Sequence, residues 1–195
     1  MTASKQVFFS LNHQVDKGLY RQLLQWLALN QVDIDPWTTE DLRREDHMAS
    51  SVDTQNDLIQ KVANSDYVVL IVGETGIEPE SQEFKVLNAA AWMKRPLIAL
   101  NVNQLRDIDR GRFPSLIADQ LVLHIPMEGQ AIKHALESWR DEAFRVRTMG
   151  QIGPVHYTNE IYQLIEETCD DLHEFVPEVA TPAEPASRWG HYVAA

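Results

Sequence analysis

The 195-residue sequence has a single cysteine, Cys169, which excludes an internal disulfide and fits a reducing cytosol. Cys169 falls within a helical pattern and reads as a helix residue, not as a nucleophile. No apolar run approaches the roughly 18 residues of a membrane span, and residues 1–10 lack the layout of a signal peptide. The expectation is therefore a cytoplasmic protein with no membrane partner. Positive charge is also scarce: 17 Lys and Arg stand against 29 Asp and Glu, for a net charge of −12. That balance argues against nucleic acid or an anionic membrane as partner. From Thr148 onward eight acidic residues face only Arg188, so seven of the twelve excess negative charges lie in the last quarter. The chain has no Cys/His cluster with zinc spacing, no Walker loop, no G-x-G-x-x-G and no internal repeat. No metal and no resident cofactor are expected.

What is present is enough apolar residue, 44%, to bury one good core. The chain is organised around residues 64–103. Residues 67–72 and 97–102 are near-continuous apolar runs, too short for helices, and between them Phe84, Leu87 and Ala91 recur at helical spacing with Ala90 beside them. Two such strands joined by an amphipathic helix describe a right-handed βαβ unit with strands buried on both faces. Ligands of such sheets sit beyond the carboxyl ends of the strands. Here that place is the loop 73–81 and the following helical turn, with Glu74, Glu78, Glu80 and Glu83.

Elsewhere the pattern predicts a first strand over 6–11 and a helix over 16–30 with Val15, Leu19, Leu23, Trp26 and Leu27 on one face. A short strand over 32–34 precedes a long polar connection that holds Trp37, Arg43 and Arg44. Thr54 caps a helix carried by Leu58, Ile59 and Val62. A short helical piece over 114–118, a last strand over 121–125 and a helix over 129–146 follow. After breaks at Gly150 and Gly153-Pro154 comes a final helix over 158–175, then a Pro/Ala/Glu tail holding Trp189 and Tyr192. The alternation predicts an α/β doubly wound parallel sheet with helices on both faces. The division is a domain over 1–147, a helical extension over 148–178 and a flexible tail over 179–195.

Three segments together resemble the TIR-like domain family that includes the Thoeris anti-phage defence protein ThsB. They are the opening V-F-F-S-L-N-H, the run A-N-S-D-Y-V-V-L-I-V-G-E-T, and R-P-L-I-A-L-N-V-N-Q-L-R-D-I-D-R-G-R-F-P with the strand that ends in His124. The resemblance covers residues 6–139 and implies a flavodoxin-like TIR fold. For catalytic members it implies cleavage of NAD at the nicotinamide–ribose bond, releasing ADP-ribose that is often cyclised into a second messenger for a downstream effector. It also implies self-association through the TIR-like domain. Two other readings stay open: a non-catalytic TIR-like binding or assembly module, and a nucleoside N-ribosyl hydrolase or transferase of related fold.

Nicotinamide is already a cationic leaving group, so such a site needs no strong acid. It needs a carboxylate to steady the positive charge that develops on the ribose. The family places its glutamate near the start of the helix after the central strand, and Glu83 is the nearest match. Counting back from Pro96, the family position falls near Val86, three residues later. Complementing the helix dipole is the competing role for Glu78, Glu80 and Glu83. The resemblance places Ser10, Asn12 and His13 in the loop lining the NAD pocket. Trp37 would lie in the gating loop, as a stacking platform or as an aromatic anchor of the loop. Arg43 would meet phosphates or belong to a solvated charge run, and Glu80 is a further NAD-binding residue or the alternative catalytic acid. His124 carries no assigned role.

Overall fold

The computed structural model describes residues 4–41, 51–75, 77–79, 81–168 and 175, and of 51–55 and 168 the backbone only. Six strands form one parallel sheet: β1 (Lys5–Ser10), β2 (Ile34–Thr38), β3 (Tyr67–Val72), β4 (Leu97–Asn101), β5 (Val122–Pro126) and β6 (Val155–His156). Their order is β2-β1-β3-β4-β5-β6. Among the described residues are the helices α1 (Lys17–Leu29), α2 (Ser51–Asn64), α3 (Gln82–Trp92), α4 (Gly129–Thr148) and α5 (Asn159–Thr168), with a 3-10 turn at Ser115–Ile117; residues 39–41 are helical as well. This is a flavodoxin-like doubly wound α/β fold.

The sheet divides the core in two because successive strand side chains point to opposite faces. Val7, Phe9, Val69, Ile71, Ile98 and Leu100 meet α1, α4 and α5 on one face. Phe8, Val68, Leu70, Val72 and Ala99 meet α2 and α3 on the other. β3, β4 and β5 are buried along their whole length, which is why they read as unbroken apolar runs. The parallel register Val69↔Ile98 and Ile98↔Leu123 keeps each layer aligned across the sheet. The buried Trp139 indole donates to the Leu97 carbonyl at 2.9 Å and ties α4 to the start of β4. At the other end of α4, a Cβ on Gly129 would lie 2.3 Å from the Trp26 ring. Only glycine lets α1 and α4 pack this closely.

Several local expectations shift. β2 runs over Ile34–Thr38, not 32–34, so Trp37 belongs to a strand and not to a loop. Pro36 disguised that strand in the sequence, yet β2 is an edge, where a missing N–H is tolerated. α1 starts at Lys17, which leaves Val15 ahead of the helix and 50% exposed. α2 starts at Ser51, three residues before the expected cap. In α3 the buried residues are Val86, Leu87 and Ala90, while Phe84 is half-buried. The sheet does not end with β5: β6 pairs along it, and Tyr157, Tyr162 and Ile165 join the same core as α1 and α4. The structure describes the final helix over Asn159–Thr168. Cys169, Trp189 and Tyr192 lie outside the described residues. Among the described residues no helix is long and apolar enough to cross a membrane.

Candidate functional site

From β1 the chain steps outward to β2 and then crosses to β3 on the other side of β1. The connections leaving β1 and β3 therefore diverge and open a crevice beyond their carboxyl ends. A cleft of about 280 Å³ lies there, lined by Asn12, His13, Ile77, Glu78, Ser81 and Glu83 among others. It brings together three residues that the sequence had assigned to one site, namely Asn12, His13 and Glu83.

Glu83 is half-buried and held from three directions. Ser81 caps α3 by accepting the Phe84 N–H at 3.0 Å, which places Glu83 in the first turn. Ser10 is fully buried and donates to the Glu83 carbonyl at 3.2 Å. Its hydroxyl thus fixes the backbone of that turn to the end of β1. The Thr39 hydroxyl donates to Glu83 Oε1 at 3.0 Å and orients the carboxylate itself. Thr39 is set in turn by a capping box, in which Thr38 donates to the Asp41 carboxylate from Oγ1 (2.6 Å) and from N–H (2.9 Å). The Asp41 N–H returns a bond to Thr38 Oγ1 at 3.3 Å. Glu40, between them, lies 3.2 Å from His13 Nδ1 and 3.4 Å from Lys17 Nζ. Asn12 accepts the Gln14 N–H at Oδ1 (3.1 Å) and donates its amide to Thr75 Oγ1 (3.2 Å), joining the loops after β1 and β3.

Thr39, Glu40 and Asp16 were not singled out from the sequence. The spacing Thr38-x-x-Asp41 was the available signal for the first two, since it marks a helical start directly after β2. Asp16 precedes α1 and is 2% exposed. A Cβ on Gly73 would lie 2.2 Å from its Oδ1, so the carboxyl occupies the space that glycine leaves at the end of β3. Burial pushes the Asp16 pKa up from 3.8 to about 6; a hydrogen bond from the Asn12 backbone pulls it down, and Glu74 pushes it up. The carboxyl thus sits between the start of α1 and the end of β3, with its pKa raised to about 6.

Other expected site residues fall elsewhere. Trp37 packs on the α2/α3 face, with Lys61 Nζ 3.1 Å from its ring centroid and its indole donating to Asp35. It does not line the cleft. Arg43 and Glu80 lie outside the described residues. Val86, the position suggested by counting from Pro96, is fully buried against the sheet and is no substitute for an acid. His124 sits within β5, 1% exposed, with the Phe113 ring edge-on at 4.6 Å. Burial lowers its pKa to about 4, against a raising effect of Asp107 and with a further lowering from His156. Among the described residues no cluster of His, Cys, Asp and Glu is placed to hold a metal ion.

No family model and no curated protein matches the chain. Among solved structures, the chain is similar to one described as a conserved protein from Enterococcus faecalis V583. The two are 13% identical over 85% of this chain and 99% of the other, with a TM-score of 0.41. A likeness at that level says nothing about what either protein does.

Proposed function

We propose that the protein is a TIR-like NAD hydrolase or cyclase that cleaves the nicotinamide–ribose bond and produces an ADP-ribose-derived signal in anti-phage defence. The observation that carries this reading is Glu83, a braced carboxylate at the rim of the switch-point cleft, opposite Asn12 and His13. The C1′–N bond breaks with its electron pair leaving on neutral nicotinamide. The ribosyl cation that forms is stabilised by the Glu83 carboxylate, which Thr39 holds in place so that no reorganisation accompanies the step. Water, or a nucleophile on the same nucleotide, then adds to C1′ and yields ADP-ribose or a cyclic product. The proton released passes to solvent or to the imidazole of His13. Asn12, fixed between the β1 and β3 loops, is placed to orient ribose hydroxyls.

The test is release of nicotinamide from NAD by the purified protein in the presence of a crowding agent, which favours assembled states. The wild type is expected to release nicotinamide, and Glu83→Gln to lower the rate about 100-fold or more. Equal release by both proteins would remove Glu83 from the reaction. Cleavage of nucleosides but not of NAD would move the assignment to nucleoside N-ribosyl chemistry. One observation favours a non-catalytic binding module instead: the family's counted position holds buried Val86. NAD binding without turnover would be its signature.

A further inference from the structure

A second cavity, about 340 Å³, adjoins the first and shares Ile77 with it as a wall. The first turn of α3 serves both: Glu83 lines the first cavity and Phe84 the second. Thr75, which receives the Asn12 amide, also lines the second. The far wall is the loop between β4 and the 3-10 turn, and it carries Arg110 and Arg112. In a chain of net charge −12, residues 106–112 carry three arginines against two aspartates, a local excess of positive charge.

That loop is internally braced. The buried Asn101 amide donates to the carbonyls of Leu105 (2.8 Å) and Asp107 (2.9 Å). Asp109 accepts the Gly111 N–H at 3.0 Å and the Asn103 amide at 2.9 Å, and its Oδ2 is 3.7 Å from Arg112 Nε. Phe113 anchors the next position in the core. Arg112 is thus oriented by Asp109, while Arg110 is exposed and has no ion-pair partner among the described residues. A guanidinium matches phosphate oxygens with parallel N–H donors, and an aromatic face accepts a base by stacking.

The first cleft, at 280 Å³, is smaller than the roughly 300–1,000 Å³ of small-molecule sites; with its 340 Å³ neighbour it falls well inside that range. We propose that the second cavity binds the adenosine diphosphate half of the dinucleotide, with pyrophosphate on Arg110 and Arg112 and adenine against Phe84, while the nicotinamide riboside half occupies the Glu83 cleft. The identity of the whole substrate rests on the NAD-cleaving reading; the anion site does not. Glu74, on the same cavity, repels phosphate and suits ribose hydroxyls, which assigns the pyrophosphate to the arginine wall.

Calorimetric titration of ADP and of nicotinamide riboside, with no turnover involved, tests the assignment. Arg110→Gln and the Arg110→Gln/Arg112→Gln double variant are expected to weaken ADP binding about tenfold and about 100-fold. Both should leave nicotinamide riboside binding unchanged. Arg110→Gln alone keeps the test clear of folding effects, because that side chain makes no hydrogen bond or ion pair among the described residues. ADP binding that is absent in the wild type, or equal in all three proteins, overturns the proposal. If ADP binds as expected while NAD is never cleaved, the catalytic reading fails and the nucleotide site stands. If NAD is cleaved with the same KM in the variants, the site alone fails.

Discussion

Asp16→Asn separates the energetics of the crevice from its chemistry. The wild-type carboxyl is buried against Gly73, and its pKa rises from 3.8 in the unfolded chain to about 6 in the fold. A raised carboxyl means that the native state binds more protons than the unfolded state between these values. This group's contribution to stability is therefore full below pH 3.8 and is lost as pH rises through about 6. At about 1.4 kcal/mol per pH unit, the gap amounts to about 3 kcal/mol at neutral pH. Asparagine keeps an oxygen that can accept the Asn12 N–H but carries no charge to desolvate. Urea unfolding of wild type and variant should give similar stabilities near pH 4. The variant should gain steadily as pH rises and level off above pH 7, with about 3 kcal/mol as the upper figure. A difference that does not change with pH would refute the reasoning, because the cost would then lie in packing and not in ionisation. A variant less stable at pH 7 than at pH 4, relative to wild type, would refute its sign.

His124 should behave in the opposite sense. Its folded pKa of about 4 lies below the ordinary 6.5, so its neutral form favours the fold above pH 6.5 and that advantage is lost as pH falls toward 4. Relative to wild type, His124→Phe should therefore become more stable on acidification, by an amount on the order of 3 kcal/mol; thermal unfolding at pH 4.5 and pH 7.5 measures this, and an equal difference at both would refute it. Trp139→Phe removes the indole donor from the buried Leu97 carbonyl and should cost about 1–3 kcal/mol, read as a lower urea midpoint with an unchanged slope. An unmoved midpoint would show that the bond adds nothing net.

The central strands were legible in the sequence because burial on both faces leaves a compositional imprint: residues 67–72 and 97–100 are apolar whichever way they point. Helices α1 and α4 were legible for the related reason that one buried stripe recurs at helical period. The edges were not. β2 pairs on one side only and accommodates Pro36, and β6 is two residues long, so neither needs a distinctive pattern. The placement of Glu83 at the opening of α3 could be read from the chain, because the caps of a helix are local.

What surrounds Glu83 could not be read in this way. Thr39 reaches it across 44 residues of sequence, Ser10 holds its backbone from another strand, and Asp16 fills the space above Gly73. Sequence alone determined the central strands, the main helices and where an acid begins one of them, since those follow from periodicity and capping along a continuous chain. Only the tertiary structure decided which strand ends lie side by side. That depends on the order in which strands pair, and the same apolar faces could have been buried in other orders that would leave these residues apart.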